Sequence, residues 1–317
     1  MSAPDDTSDK RARLYFICIP RSGSTSILKC LSFFDESEVW FEPFVVCRIV
    51  MREYGWTTGK SLSTDWDEAL SDEFDRAAAA MQTTNQLPPS SGKRFAFSEV
   101  KRAIDDSSKK VVIVKDMSTS FYKRLQYLPS KASGFKFVFI IRDPYRAISS
   151  FRKASIGAWR KLGKFHGEDK DFDLQVDDPY YASQRTCYEK LHTVWQHVRK
   201  ELDPNPLVID TEDFLASPEP FLQKICAEAG LPYHEGLLRW DASTDPIMKW
   251  KNPGGVTQMM DNSLSDFHGT AITSSCFIPR SSSRPRPERS SLTEDVLSAV
   301  DRGMKFYEEV YQSRFTP

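Results

Sequence analysis

The chain has 317 residues, of which 40% are hydrophobic and 12% aromatic, which is enough for a packed core and excludes general disorder. Its 43 basic and 44 acidic residues leave a net charge of −1, so the composition predicts no nucleic-acid partner held by overall positive charge. The sequence contains no apolar run of about 18 residues, so no membrane span is predicted. Six scattered cysteines without a CxxC pair favour reduced thiols in a cytoplasmic protein.

The first part of the chain predicts a strand, a tight turn and a helix. We interpret residues 1–12 as a flexible leader and residues 13–317 as a single domain. The apolar run at 14–19 predicts a buried strand. It is followed by a turn at 20–25, after which apolar side chains recur with helical spacing.

Strands and helices alternate further along the chain, which predicts an α/β fold with a central parallel sheet between two layers of helices. Further strands are predicted at 110–115, 135–141 and 206–210. Helices are predicted at 65–80, 180–202 and 218–229, with a last helix opened by a capping box of Ser291 and Glu294. Residues 155–178 are interpreted as a surface loop and 240–290 as a long loop or lid. Ligands of such sheets bind beyond the carboxyl ends of the strands.

The turn after the first predicted strand carries the strongest chemical signal. A small-residue turn that enters a helix presents free backbone N–H groups and the positive end of the helix dipole, which suits a phosphate or sulfate group. The segment contains neither the GxxxxGK[ST] pattern of a Walker loop nor GxGxxG. Its residues are Arg21, Ser22, Gly23, Ser24, Thr25 and Ser26.

This turn resembles the phosphosulfate-binding loop of the sulfotransferase family that uses 3′-phosphoadenosine 5′-phosphosulfate (PAPS). A second signature of the family is a strand that ends in arginine with a serine eight residues later, which Arg142 and Ser150 match. The resemblance implies the P-loop NTPase-like sulfotransferase fold, PAPS as the sulfuryl donor, and Arg142 and Ser150 as ligands of its 3′-phosphate. It also assigns residues 21–26 to cofactor binding.

The matches to the family's catalytic positions favour one of its branches. Lys115 matches a catalytic lysine, but Met117 stands where cytosolic members carry a general-base histidine. Glu42, within Trp-Phe-Glu-Pro, resembles the glutamate base of membrane-bound and carbohydrate-modifying members, in which an arginine such as Arg21 is typical of the loop. The resemblance therefore implies Glu42, Lys115 and Arg21 as catalytic residues.

Other assignments of the base stay open. Asp116 is the second candidate, and His268, expected in a loop, is the third. Glu42 is alternatively a structural carboxylate paired with a nearby arginine such as Arg48. The basic triplet that cytosolic members carry on a late loop is absent, and Arg280 or Arg284 is the candidate replacement.

The predicted function is in-line transfer of a sulfuryl group from PAPS to a hydroxyl or amine of a small-molecule acceptor, without a metal. The alternatives are a sulfotransferase fold repurposed for another reaction and a kinase-like phosphate-binding enzyme. A homodimer is left open. The acceptor pocket is expected in segments 40–60, 155–180 and 240–280, with aromatic candidates Trp40, Phe41, Tyr54, Trp56, Trp159, Phe165, Trp240, Trp250 and Phe267.

Overall fold

The computed structural model describes residues 11–85, 91–179, 184–255, 265–277 and 285–317. Within these residues one sheet is formed by the strands β1 (Ala12–Cys18), β2 (Ser37–Phe41), β3 (Val111–Met117), β4 (Lys136–Ile141) and β5 (Leu207–Asp210). Their order is β2-β3-β1-β4-β5, and all neighbouring pairs are parallel. All carboxyl ends therefore lie at the same edge of the sheet.

Helices cover both faces of the sheet. In chain order, the described ones are α1 (Ser24–Leu31), α2 (Pro43–Thr58), α3 (Ser71–Asn85), α4 (Phe97–Asp105), α5 (Ser118–Phe121), α6 (Pro144–Lys161), α7 (Leu174–Asp177), α8 (Cys187–His197), α9 (Thr211–Ala216), α10 (Pro218–Ala229), α11 (Asp245–Met248), α12 (Ser265–Ile272) and α13 (Glu294–Tyr311). None of them combines the length and apolar character that a membrane-spanning helix requires.

The core contains two apolar layers separated by the sheet, and a smaller third apolar cluster that includes Val50, Tyr54 and Phe74. Because successive side chains of a strand point to opposite faces, Tyr15 and Ile17 of β1 enter one layer, and Leu14 and Phe16 enter the other. Burial on both faces explains why the strands appear in the sequence as continuous apolar runs. The predicted α/β sandwich with its parallel sheet is confirmed.

Several local predictions were wrong. Strand β2 and helix α2 were not predicted, and β1 begins at Ala12, the last residue of the predicted leader, of which residues 1–10 lie outside the described residues. Helix α6 continues to Lys161, into the predicted loop at 155–178, because Trp159 is buried in the core. The predicted capping box is absent, since α13 begins after Thr293 with no side-chain cap.

Part of the predicted lid at 240–290 is packed against the sheet. Residue Lys251 forms a parallel bridge with Trp40 of β2, next to α11. Lys29 holds the C-terminal end of helix α12, because its Nζ donates to the carbonyl oxygens of Ile272 at 2.6 Å and Ser274 at 2.8 Å. Residues Arg280 and Arg284 lie outside the described residues.

Candidate active site

Four candidate residues follow or end four adjacent strands. Glu42 follows β2, Lys115 lies near the end of β3, Arg21 follows β1 and Arg142 follows β4. The sheet order places these strands side by side, so residues that are up to 121 positions apart meet at one edge. The chemistry-bearing side chains are thus gathered by the parallel topology.

The loop between β1 and α1 is held in a conformation suited to an anion. Arg21 and Gly23 have φ values of 64° and 71°, in the left-handed region, and Gly23 is the N-cap of α1. No side chain caps this end, and the first turn of α1 contains no acidic residue. The Thr211 Oγ1 lies 2.8 Å from the carbonyl oxygens of both Ser22 and Ile141, which ties the loop to β4 and β5.

The predicted phosphosulfate-binding loop and the predicted ligands of the 3′-phosphate lie together in one cluster. Arg21 Nε donates to Ser150 Oγ at 3.1 Å, and Arg142 Nη1 donates to the Arg21 carbonyl at 2.7 Å. Arg21 Nη1 also donates to the carbonyl of Phe267 in α12, at 2.5 Å. Residues from three distant parts of the chain therefore surround the start of α1.

The two guanidinium groups of this cluster are largely buried. Burial, reinforced by nearby Arg142, lowers the pKa of Arg21 to about 10, so that it stays charged at neutral pH. Arg142 is 6% exposed, and its Nε donates to Glu212 Oε1 at 3.0 Å. Tyr188 Oη donates to the Arg142 carbonyl at 2.7 Å. Glu212 was not predicted as a site residue, because only the contact between β4 and the segment after β5 reveals it.

Glu42 and Lys115 form a buried ion pair beside this cluster. Glu42 occupies the left-handed region with φ of 47°, and its backbone N–H donates to the Lys115 carbonyl at 2.7 Å. Lys115 Nζ also lies 4.9 Å from the centroid of the Phe41 ring. The partner of the Glu42 carboxylate is Lys115 rather than an arginine such as Arg48, whose Nη1 donates to Thr119 Oγ1 at 2.7 Å.

Residues 14–235 match the model of the sulfotransferase family. The chain belongs to this family. No curated protein sequence matches it significantly.

Two of the solved structures that resemble this sulfotransferase are distant from it in sequence. The sulfotransferase domain of the Synechococcus PCC 7002 olefin synthase is 15% identical, with 95% of this chain and 98% of that chain covered and a TM-score of 0.46. A mouse sulfotransferase, SULT7A1 complexed with PAP, is 13% identical, with 96% and 84% covered and a TM-score of 0.38.

The Asp116 carboxylate of this sulfotransferase accepts hydrogen bonds from backbone N–H groups. Its Oδ2 accepts from Phe44 N in the first turn of α2, at 2.7 Å. Its Oδ1 accepts from Met117 N at 2.7 Å and from Ser120 Oγ at 2.8 Å. Asp116 therefore caps α2, although Glu42 occupies the N-cap position of that helix. The Glu42 side chain does not cap the helix, and its carboxylate pairs with Lys115 instead.

We expect Asp116→Asn to flatten the pH dependence of stability between about pH 4 and pH 7. Burial raises the pKa of Asp116 to about 7. The folded state therefore keeps a proton that the unfolded state loses in this window, and the free energy of unfolding falls as pH rises, by at most about 1.4 kcal/mol per pH unit. Urea unfolding at pH 5 and pH 8 measures the free energy of unfolding of both proteins. If the wild type and the variant differ in this free energy by the same amount at both pH values, the prediction is wrong.

His268 lies beside the ion pair, in helix α12 rather than in the expected loop. Its ring is edge-on to Phe41, with centroids 5.5 Å apart, and its buried Nδ1 has no hydrogen-bond partner among the described residues. Burial lowers the pKa of His268 to about 4; Glu42 opposes this shift, and the cations Lys115 and Arg21 add to it. The imidazole is therefore neutral at pH 7 and has a free ring nitrogen.

Most of the predicted acceptor-lining aromatics belong to the core instead. Six of them are buried: Trp40, Phe41, Trp159, Trp240 and Trp250 in the two layers beside the sheet, and Tyr54 in the smaller third cluster. Phe41 and Phe267 nevertheless contact site residues, since Phe267 lies 5.9 Å from the Arg21 guanidinium. Trp40 and Trp250 also line a groove of about 770 Å³ at the outer side of β2. Within the described chain, no group of three or more His, Cys, Asp or Glu side chains could hold a metal ion.

Proposed function

We propose that this sulfotransferase moves a sulfuryl group from PAPS to a hydroxyl or amine of a small-molecule acceptor by in-line displacement, with Glu42 as the general base. The observation that carries the proposal is the contact between Arg21, Arg142 and Ser150 at the start of α1, next to the pair of Glu42 and Lys115. One cluster would thus combine anion binding with a proton acceptor.

The hydrogen-bond donors and cations of this cluster fit a nucleotide with two anionic ends. Arg142 and Ser150 would bind the 3′-phosphate. The loop residues Arg21, Ser22, Gly23, Ser24, Thr25 and Ser26 would bind the phosphosulfate through backbone N–H groups, hydroxyls and the guanidinium. The first turn of α1 contains no carboxylate that would repel the donor. An uncapped helix start beside two arginines is a favourable environment for such a ligand.

Glu42 and Lys115 would divide the chemistry between them. Glu42 would accept the proton of the attacking hydroxyl, a role that typically contributes about 10²–10⁴-fold in rate. Lys115 and Arg21 would stabilise the negative charge that develops on the departing phosphate oxygen, and one such preorganised donor is often worth about 3–4 kcal/mol. The ion pair and the left-handed backbone hold the Glu42 carboxylate in place.

The two other candidate bases differ in their availability. Both oxygens of Asp116 already accept hydrogen bonds and its side chain is fully buried, which supports a positioning role. His268 has a ring nitrogen without a partner among the described residues, close to Lys115 and Arg21. It remains the alternative base, and the variant Glu42→Gln compared with His268→Gln separates the two.

Adenosine 3′,5′-bisphosphate is expected to raise the melting temperature more than ATP does. Only the bisphosphate carries a 3′-phosphate for Arg142 and Ser150. At 100 times its dissociation constant, it should add about 2.7 kcal/mol to the free energy of unfolding. Thermal unfolding with each nucleotide is the measurement, and an equal effect of both would favour the kinase-like alternative. A protein that binds the bisphosphate but sulfates no nucleophile in a broad panel would favour the repurposed fold.

A further inference from the structure

The groove of about 770 Å³ lies along the outer side of β2, which is the last strand at one side of the described sheet. Helix α4 forms one wall, and residues 250–253, which run beside β2, form the other. The turn at Gly92–Phe95 contributes to one end. The described residues that line the groove include none of the proposed catalytic or donor-binding residues, so it is a separate site. Its volume is in the range of small-molecule pockets.

The two tryptophans of the groove present carbon atoms rather than polar groups. Trp40 Nε1 donates to Glu38 Oε1 at 2.8 Å, and Trp250 Nε1 donates to Ser32 Oγ at 2.7 Å. Both indole N–H groups are therefore already satisfied by the protein. Further apolar surface comes from Val100, Ala103 and Pro253. The part of a ligand that lies against these residues has to be apolar.

The edge of β2 is closed to a further strand along the groove. The backbone N–H of Phe41 donates to the Lys251 carbonyl at 3.0 Å, and the N–H of Lys251 donates to the Val39 carbonyl at 2.7 Å. These bonds occupy the outward backbone groups to which an added strand would pair. The groove therefore suits a small molecule rather than an extended peptide.

Arg94 supplies the groove with a cation that lacks an anionic partner. Its side chain is half-buried, and its guanidinium lies 5.7 Å from the centroid of the Phe95 ring. The guanidinium forms no hydrogen bond or ion pair with the part of the chain that the structure describes. Burial alone lowers the pKa of Arg94, which remains charged at neutral pH.

The turn that carries Arg94 is fixed in place. Phe95 is fully buried in the third apolar cluster, and the backbone N–H of Gly92 donates to Asp75 Oδ1 at 2.7 Å. Gly92 itself lies so close to the backbone of Phe74 in α3 that no Cβ would fit. The backbone of Arg94 is thus ordered before a ligand arrives, which lowers the entropic cost of binding.

Most other charges beside the groove are paired with one another. Glu99 forms ion pairs with Arg102 and with Lys93, the latter at 3.8 Å. Lys251 pairs with Glu38. These contacts neutralise both carboxylates and leave no acid of this group for Arg94.

The remaining acid among the described lining residues is Asp106, at the opposite end of the wall. Asp106 follows the end of α4, whereas Arg94 precedes its start, and a helix of nine residues is about 14 Å long. The end of the groove at Arg94 therefore carries one positive charge that the protein does not neutralise.

We propose that the groove binds a small organic carboxylate, whose carboxylate group pairs with Arg94 and whose apolar body lies against Trp40 and Trp250. One unneutralised cation fits a monoanion, and a guanidinium binds a carboxylate through two parallel hydrogen bonds. The inference goes beyond the proposed sulfuryl transfer and does not depend on it, because the groove and the donor cluster share no residue.

The test measures by calorimetry the binding of octanoate, octanamide and acetate to the full chain. Octanamide replaces the carboxylate with a neutral amide, and acetate lacks the apolar chain. We expect octanoate to bind at least about tenfold more tightly than either, because each of the other probes lacks one of the two interactions.

Three variants identify the groove as the place of binding. Arg94→Gln should remove the preference for octanoate over octanamide. Ala103→Phe, at an exposed position of α4, should weaken the binding of both, because the ring fills part of the groove. The matched control Arg76→Gln removes a charge from an exposed arginine of α3 outside the groove, and should leave the preference within about twofold of wild type. Melting temperatures establish that each variant is folded.

The inference is overturned if octanoate does not bind, if it binds no more tightly than octanamide or acetate, or if its preference survives Arg94→Gln. Displacement of octanoate by saturating adenosine 3′,5′-bisphosphate would also overturn it, since the ligand would then occupy the proposed donor site. Octanoate binding that depends on Arg94 supports the groove whether or not the bisphosphate binds, so a failure of the proposed function is recognised separately.

Discussion

Glu42→Gln should lower the rate of sulfuryl transfer by about 10²–10⁴-fold while binding of adenosine 3′,5′-bisphosphate stays within a few-fold of wild type. The amide keeps the shape of the side chain and its left-handed backbone, but it does not accept a proton from the acceptor. The loss should therefore fall on the chemical step. Single-turnover transfer of labelled sulfate measures that step, and calorimetry measures nucleotide binding.

Breaking a buried ion pair also lowers stability, so this variant needs a matched control. Glu38, also in β2, pairs with Lys251 and accepts from Trp40 Nε1 at 2.8 Å, away from the carboxyl edge. Glu38→Gln should lower the melting temperature without slowing transfer at a temperature where it stays folded. If Glu42→Gln retains activity and His268→Gln loses it, His268 is the base and the role proposed for Glu42 is wrong.

Arg142→Ala is expected to weaken the binding of adenosine 3′,5′-bisphosphate by roughly 30-fold or more. Removal of one member of a buried, hydrogen-bonded charge pair typically costs about 2–5 kcal/mol of binding free energy. Arg142 also donates to the Arg21 carbonyl, so its loss loosens the loop that would hold the phosphosulfate. Calorimetric titration of the bisphosphate into the variant and the wild type measures the effect.

The variant Glu212→Gln controls for the ion pair that Arg142→Ala also breaks. It removes the negative partner of Arg142 but keeps the cation, and Arg146 Nε lies 3.9 Å from the same carboxylate. Binding of the bisphosphate should stay equal or become tighter, because less negative charge faces the ligand. If Arg142→Ala binds the bisphosphate as wild type does, the assignment of Arg142 to the 3′-phosphate is wrong.

Local patterns in the sequence were sufficient for four of the five strands described and for the residues of the proposed donor site. The strands β1, β3, β4 and β5 are buried on both faces, so each is a short apolar run that needs no partner to be identified. The turn at 21–26 is a local conformation, with Gly23 in the left-handed region as helix α1 begins. Arg142 and Ser150 lie at one strand end and on the helix that follows it, so their spacing is also local.

Strand β2 shows why local patterns failed elsewhere. Its five residues include Glu38, a charged residue that is rare in buried strands. That carboxylate is buried because Lys251, 213 positions away, supplies an ion pair, and Trp40 supplies a hydrogen bond. Trp40 lies two residues away, but the ion pair with Lys251 cannot be inferred from neighbours in the chain, and the position of Glu42 at the carboxyl edge depends on this strand.

The sequence by itself determined the fold class, the family resemblance and the residue types of the proposed donor site, because these depend on periodicity and on short spacings. Only the tertiary structure decided that Lys115 pairs with Glu42, that Asp116 caps α2, and that His268 lies against Phe41. Each of these contacts joins elements far apart in the chain. Their partners are selected by packing and charge in three dimensions, which no local pattern encodes.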